Sequence, residues 1–179
     1  MNLQHHFILM SEYNQRMNSQ CYQAIAELTE SEINENRGAF FNSIMGTLNH
    51  LLVGDLIWLN RFATHSIKYQ SLLGLADMPK PKSLDDFLFS DYLLLRAARE
   101  KVDCAICHWL KNEANESDFN APLAYSNTQG VVSKRDFGEL VSHLFNHQTH
   151  HRGQLSTLLS QINIDIGVTD YLFDIPESN

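Results

Sequence analysis

The sequence predicts an all-α protein, a four-helix bundle with a small β-hairpin-like insertion before the last long helix. Two observations carry this expectation. Four long segments repeat apolar residues every three or four positions, the spacing that lines up one face of a helix. The stretches between and after them lose that period and hold all four prolines. A length of 179 residues and 44% hydrophobic content suit a single domain over 1–179 with a sizeable core.

The first helix is expected at about residues 2–28, where Leu3, Phe7, Met10, Met17, Cys21, Ala24 and Leu28 are spaced by turns. Thr29-Glu30-Ser31-Glu32 reads as a capping box, in which a hydroxyl and a carboxylate satisfy each other's free backbone N–H groups. It opens a short helix that stops near Gly38. A second long helix follows at about 40–63. Phe41, Ile44, Leu48, Leu51, Leu52, Trp58, Leu59 and Phe62 make one face, while Gly46, His50, Val53, Gly54 and Ile57 make another that is small and mostly apolar. A helix apolar on two sides is buried on two sides, which predicts packing both inside the bundle and against a second subunit in a homodimer. Residues 64–82 form a connector ending in Met78-Pro79-Lys80-Pro81, which a helix interior does not tolerate. Ser83-Leu84-Asp85-Asp86 reads as a second capping box and opens a helix at about 84–113. Within 114–132, Leu123-Ala124-Tyr125 and Val131-Val132 flank a Ser126–Gly130 hairpin loop in which Gly130 can take positive φ. Ser133-Lys134-Arg135-Asp136 is a third capping box, opening the last long helix at about 134–163, and the chain from Gly167 makes a short turn or helix and a tail.

That last helix carries the chemistry. Residues 143–154 read H-L-F-N-H-Q-T-H-H-R-G-Q, placing four of the nine histidines within nine positions. Stepping from Leu144 by helical intervals gives His147, His151, Leu155, Leu158 and Ile162, so two imidazoles stand where a bundle helix otherwise carries leucine. Four residues apart, they lie one turn above the other, a spacing suited to capture of one metal ion. His143 and His150 fall toward the rim. Gln148 follows His147, so the glutamate base of zincin peptidases is absent, and that chemistry is disfavoured. A third ligand should come from a facing helix. His50 is the leading candidate in the second long helix, and Asp55 competes with it. Asp55 falls on the main apolar stripe, where an unpaired carboxylate is costly, so it is either a ligand, a support for one, or ion-paired, with Arg152 as a candidate partner.

Charge and cysteine usage exclude other classes. The formal charge is -8 and the 13 Lys and Arg residues are scattered, which disfavours binding to nucleic acid phosphates. The N-terminus lacks a basic start and no stretch approaches 18 apolar residues, so neither an export signal nor a membrane span is expected. Three cysteines, an odd number, then suggest reduced thiols in the cytoplasm. Cys104-Ala105-Ile106-Cys107-His108 matches the c-type haem attachment motif. The surrounding stripe, Leu88, Tyr92, Leu95, Val102, Ile106 and Trp109, instead turns Cys104 and His108 to the opposite side of a long helix.

The pattern Gly46-Thr47-Leu48-Asn49-His50-Leu51-Leu52, then Asp55, Trp58 and Leu59, then His143-Leu144-Phe145-Asn146-His147 with His150-His151-Arg152-Gly153-Gln154, resembles the DinB family of DNA-damage-inducible proteins. The likeness extends over most of the chain. It implies a four-helix bundle, often dimeric, with a divalent ion such as zinc or nickel held by His50, His147 and His151. The wider superfamily resembles metal-dependent enzymes that move low-molecular-weight thiols, including bacillithiol and mycothiol transferases and a maleylpyruvate isomerase. The leading expectation is therefore a metal-dependent thiol transferase or hydrolase, with His143, His150 or Asp55 carrying protons. The competing one is a non-enzymatic metal-binding protein of the stress response. The haem-like cysteine pair lies outside the family pattern.

Overall fold

Helix α1 runs Leu3–Ile25 in the computed structural model, which describes residues 2–127 and 129–177. Met1, Thr128 of the expected hairpin loop, and Ser178 and Asn179 of the expected tail lie outside the described residues. Asn2 caps α1 by accepting from the His5 N–H at 2.8 Å. The Thr29 capping box is present in both directions and opens α2 (Glu30–Asn34). Helix α3 (Ile44–Phe62) begins four residues later than expected, capped by Ser43. The chain before it makes a tight turn in which Asn42 adopts φ 64° and Ala39 bridges Asn42. Gly46 is required there, because a Cβ would lie 2.1 Å from the Phe41 carbonyl oxygen.

The connector contains one short helix, α4 (Gln70–Leu73). The next long helix, α5, spans Tyr92–His108 and ends in a π-helical turn at Trp109–Glu113. Its start corrects the expectation of a helix from residue 84. The Asp86 carboxylate does accept from the Ser83 N–H and hydroxyl at 3.3 and 3.0 Å, but it closes only a turn. The chain beyond is held by α3 instead. The Asn49 amide bonds both the N–H and the C=O of Phe89, each at 2.9 Å, and His50 Nδ1 lies 2.8 Å from the Leu84 carbonyl oxygen. These side-chain partners replace the helical ones, and Asp91 becomes the cap.

Strands β1 (Pro122–Ser126) and β2 (Val132–Asp136) form an antiparallel hairpin in which Tyr125 faces Ser133 and Pro122 faces Asp136. Gly130 takes φ 79°, as expected of it. Ser133 is therefore a strand residue and not a helix cap. Asp136 performs that role, accepting from the Glu139 N–H at 3.0 Å, and α6 runs Phe137–Ser160. A 3₁₀ turn at Tyr171–Asp174 is tied to α1 by the Arg16–Asp174 ion pair at 2.5 Å.

The chain is mostly helical with one small two-stranded sheet. Helix α1 packs on α5 and α6, and α3 packs on α6 and α5, around a shared apolar core. Aromatic rings dominate one end of that core, with Phe137 contacting Phe62, Trp109 and Phe119. The middle of the second face of α3 is filled within the chain, where Val53 is fully buried and His147 lies over Gly54, while Gly46 and Ile57 are half-buried. No described helix is long and apolar enough to cross a membrane.

A ring of buried polar groups joins the four long helices. Asp55 on α3 pairs with Arg99 on α5 at 2.7 Å, and Arg99 pairs with Asp103 at 2.9 Å. Asp103 accepts from Asn14 and Asn18 of α1, whose amide oxygens accept from Arg152 of α6. Arg152 also donates to Gln148 at 3.2 Å, and Gln148 donates to the Leu51 carbonyl at 3.3 Å, which returns to α3. Arg99, and not Arg152, is thus the ion-pair partner of Asp55. Burial works against the Arg99 charge, but the two carboxylates outweigh it and raise the guanidinium pKa. Arg99→Met should leave both carboxylates buried without a cation and lower stability by about 3–5 kcal/mol, read from urea denaturation.

Candidate metal centre

Helical spacing brings two imidazoles of α6 to the same side as Leu144, Leu155 and Leu158, all buried. Facing them from α3 is His50. The Nε2 atom of His50 lies 3.1 Å from Nε2 of His147 and 3.1 Å from Nε2 of His151. Ligand atoms about 2.0–2.1 Å from one ion such as zinc lie roughly 3.0–3.4 Å from each other, so the three histidines are positioned to bind a metal ion.

Hydrogen bonding decides which nitrogens face inward. The Leu84 carbonyl oxygen can only accept, so His50 Nδ1 must carry the proton and Nε2 is left as a lone pair. His151 Nδ1 lies 2.8 Å from the Gln154 amide oxygen, with the same result. Two lone pairs 3.1 Å apart repel, and a cation between them reverses that repulsion. Protonation is a poor remedy. Burial lowers the pKa of His147 to about 3, with the charges of the neighbouring imidazoles adding to the effect. Burial also lowers the pKa of His50 and of His151, opposed in part by the bonds to Leu84 and Gln154. The cluster offers three neutral nitrogens, His50 buried and His147 and His151 half-buried, with no carboxylate among them.

The surroundings fix the rings. Phe41 stacks on His50 with centroids 3.8 Å apart and meets His151 edge-on at 5.5 Å, covering one flank. Gly54 lets His147 press against α3, and His147 Nδ1 has no hydrogen-bond partner among the described residues. Of the other candidates, His143 and His150 are exposed, with rings 6.3 Å from His147 and 4.7 Å from His151. Asp55 is held by Arg99 and is not grouped with the imidazoles. Cys104 is exposed and Cys107 half-buried, both as free thiols, and burial pushes Cys107 up to about 11. Sequence reasoning missed Gln154, Gly54, Phe41 and the Leu84 carbonyl. Gln154 stands three residues after His151, a spacing that places it beside that histidine, whereas Gly54 serves His147 across the helix pair, a contact that no spacing within α3 reveals. The Leu84 carbonyl leaves no signal in a sequence.

Gly54→Ala would set a Cβ 2.6 Å from His147 Cε1. The ring must move, so metal affinity should fall by about tenfold or more while helix content holds, as followed by chelator competition and circular dichroism. Acid should act through the same rings. Their folded pKa values lie below that of unfolded histidine, so the unfolded chain binds protons that the fold refuses. Stability of the metal-free protein should therefore fall as pH drops below the ordinary value of 6.5 toward 3, and His147→Ala should flatten that slope in denaturation curves at several pH values.

The chain is 25% identical over 162 residues to Protein DinB of Bacillus subtilis (strain 168), covering 89% of this chain and 88% of that one. No solved structure matches. The family model described as DinB family matches residues 1–178, and the chain therefore belongs to the DinB family.

Proposed function

We propose that this protein is a divalent-metal enzyme of thiol S-transfer or hydrolytic type, built as a single four-helix-bundle domain with His50, His147 and His151 as ligands. The convergence of three Nε2 atoms from two helices carries the reading. Zinc or nickel suits three imidazoles, and such an ion supplies Lewis acidity that lowers the pKa of a bound water or thiol. A low-molecular-weight thiol is the proposed substrate, on the family resemblance. The neutral ligands leave the ion its full charge, and Phe41 shields one side from water. His143 and His150, exposed beside the ligands, are placed to carry protons to and from solvent. The proposed setting is the cytoplasm, without a nucleic acid or membrane partner, in keeping with the net charge of -8 and the absence of a membrane-crossing helix among those described. A homodimer is proposed on the same resemblance, through a face other than Val53 and Gly54.

Elemental analysis should find one zinc or nickel ion per chain, lost in His50→Ala, His147→Ala and His151→Ala and kept in His150→Ala. The loaded protein should join cysteine or another cellular thiol to a chlorinated aromatic electrophile faster than free metal does, and the His147→Ala protein should not. Stoichiometric metal without any rate above free metal, across several thiols and hydrolysable esters, would point to a non-enzymatic metal-binding protein instead.

A further inference from the structure

One open cleft of about 630 Å³ lies between α3, the β1–β2 hairpin and α6, one helical turn from the histidine cluster. Its walls are Trp58, Tyr125 and Leu140, and His143 closes the end toward the metal ligands. The rings form a continuous series. Tyr125 meets Trp58 at 5.3 Å, Trp58 meets His143 at 5.1 Å, and His143 is 6.3 Å from His147, all between ring centroids. Arg61 packs over Trp58 and Tyr125 at 4.6 and 5.1 Å but does not line the cleft, so it props both rings from behind. Arg135, Asp136 and Glu139 complete the lining, one cation against two carboxylates, which disfavours an anionic occupant.

A hairpin inserted just before a helix has no need to place an aromatic residue against α3, yet Tyr125 does so. The result is a small cleft of ligand size with apolar aromatic walls and a few polar groups, the usual composition of a small-molecule site. We infer that this cleft seats an aromatic or similarly flat apolar group of the substrate, while the polar head of the same molecule reaches the three-histidine centre past His143. The inference rests on the metal-centre reading above. It assigns Trp58, Tyr125 and Leu140 to substrate selection. Arg61 is then a positioning residue, acting through the rings it supports.

Two hydroxamates that differ only in an aryl group test it on the zinc-loaded protein: propanohydroxamate and 3-phenylpropanohydroxamate. The phenyl compound should bind about tenfold tighter or better, from the apolar surface it buries. Trp58→Ala should reduce that ratio to about threefold or less, and Tyr125→Ala, on the hairpin at the margin of the core, should do the same if the first variant folds poorly. Trp109 is fully buried, so acrylamide quenching of tryptophan fluorescence reports Trp58, and the phenyl compound should protect it. Equal binding of both compounds, or a ratio unchanged in both variants with Trp58 unprotected, would overturn the cleft and leave the metal centre standing. Failure of both compounds to bind the loaded protein would overturn both readings.

Discussion

Two aspartates and two arginines buried among four helices constrain everything else in this fold. Asp55, Arg99, Asp103 and Arg152 sum to zero charge, and each has given up its hydration. Such groups are tolerable only when every contact is present, since an unpaired one costs several kcal/mol. Apolar side chains accept many neighbours of similar volume, and a helix that slips by one turn can often repack. This ring does not allow that. A slip of any one of the four helices breaks a link, because the asparagines of α1, the Arg99–Asp103 pair of α5, Asp55 of α3 and the Gln148–Arg152 pair of α6 each appear once.

The histidine cluster inherits that register. Gln148 and Arg152 directly follow His147 and His151, and the Leu51 carbonyl that accepts from Gln148 directly follows His50. Successive residues on a helix are about 100° apart, so one side of α6 is locked into the ring while the adjoining side offers its imidazoles. The three Nε2 atoms meet because the interior behind them is fixed. Their rings are then trimmed by local contacts, a carbonyl at His50, an amide at His151 and a bare glycine under His147, which differ in kind and come from different parts of the chain.

Much of this was legible in the sequence, for reasons that vary by element. Apolar periodicity located the four long helices, and the stripe through Leu144, His147, His151 and Leu155 chose two imidazoles out of four without knowledge of any partner. His50 was harder, since α3 is buried on nearly every side and burial does not separate a ligand from a core residue there. The failures share one cause. Ser83 and Ser133 each precede an acidic residue at the capping interval, but tertiary partners outbid the local signal: Asn49 and His50 hold the chain near Leu84 and Phe89, and β1 claims Ser133 for a strand. The partner of Asp55 was misassigned because α5 contributes Arg99 from a register that no single helix pattern reveals.

One of those tertiary partners links regions that are far apart in the chain. The His50 ring has two ends, with Nε2 in the histidine cluster and Nδ1 on the Leu84 carbonyl of the connector. Opening of the connector removes the acceptor that fixes the tautomer, and rotation of the ring removes the anchor of the connector. Occupancy of the centre and order in the segment from Leu84 to Phe89 are therefore conjugate quantities, and whatever free energy an ion gains from a fixed His50 must reappear as resistance of that segment to local unfolding. A loop without regular structure thus sets the ring of one histidine of the candidate centre.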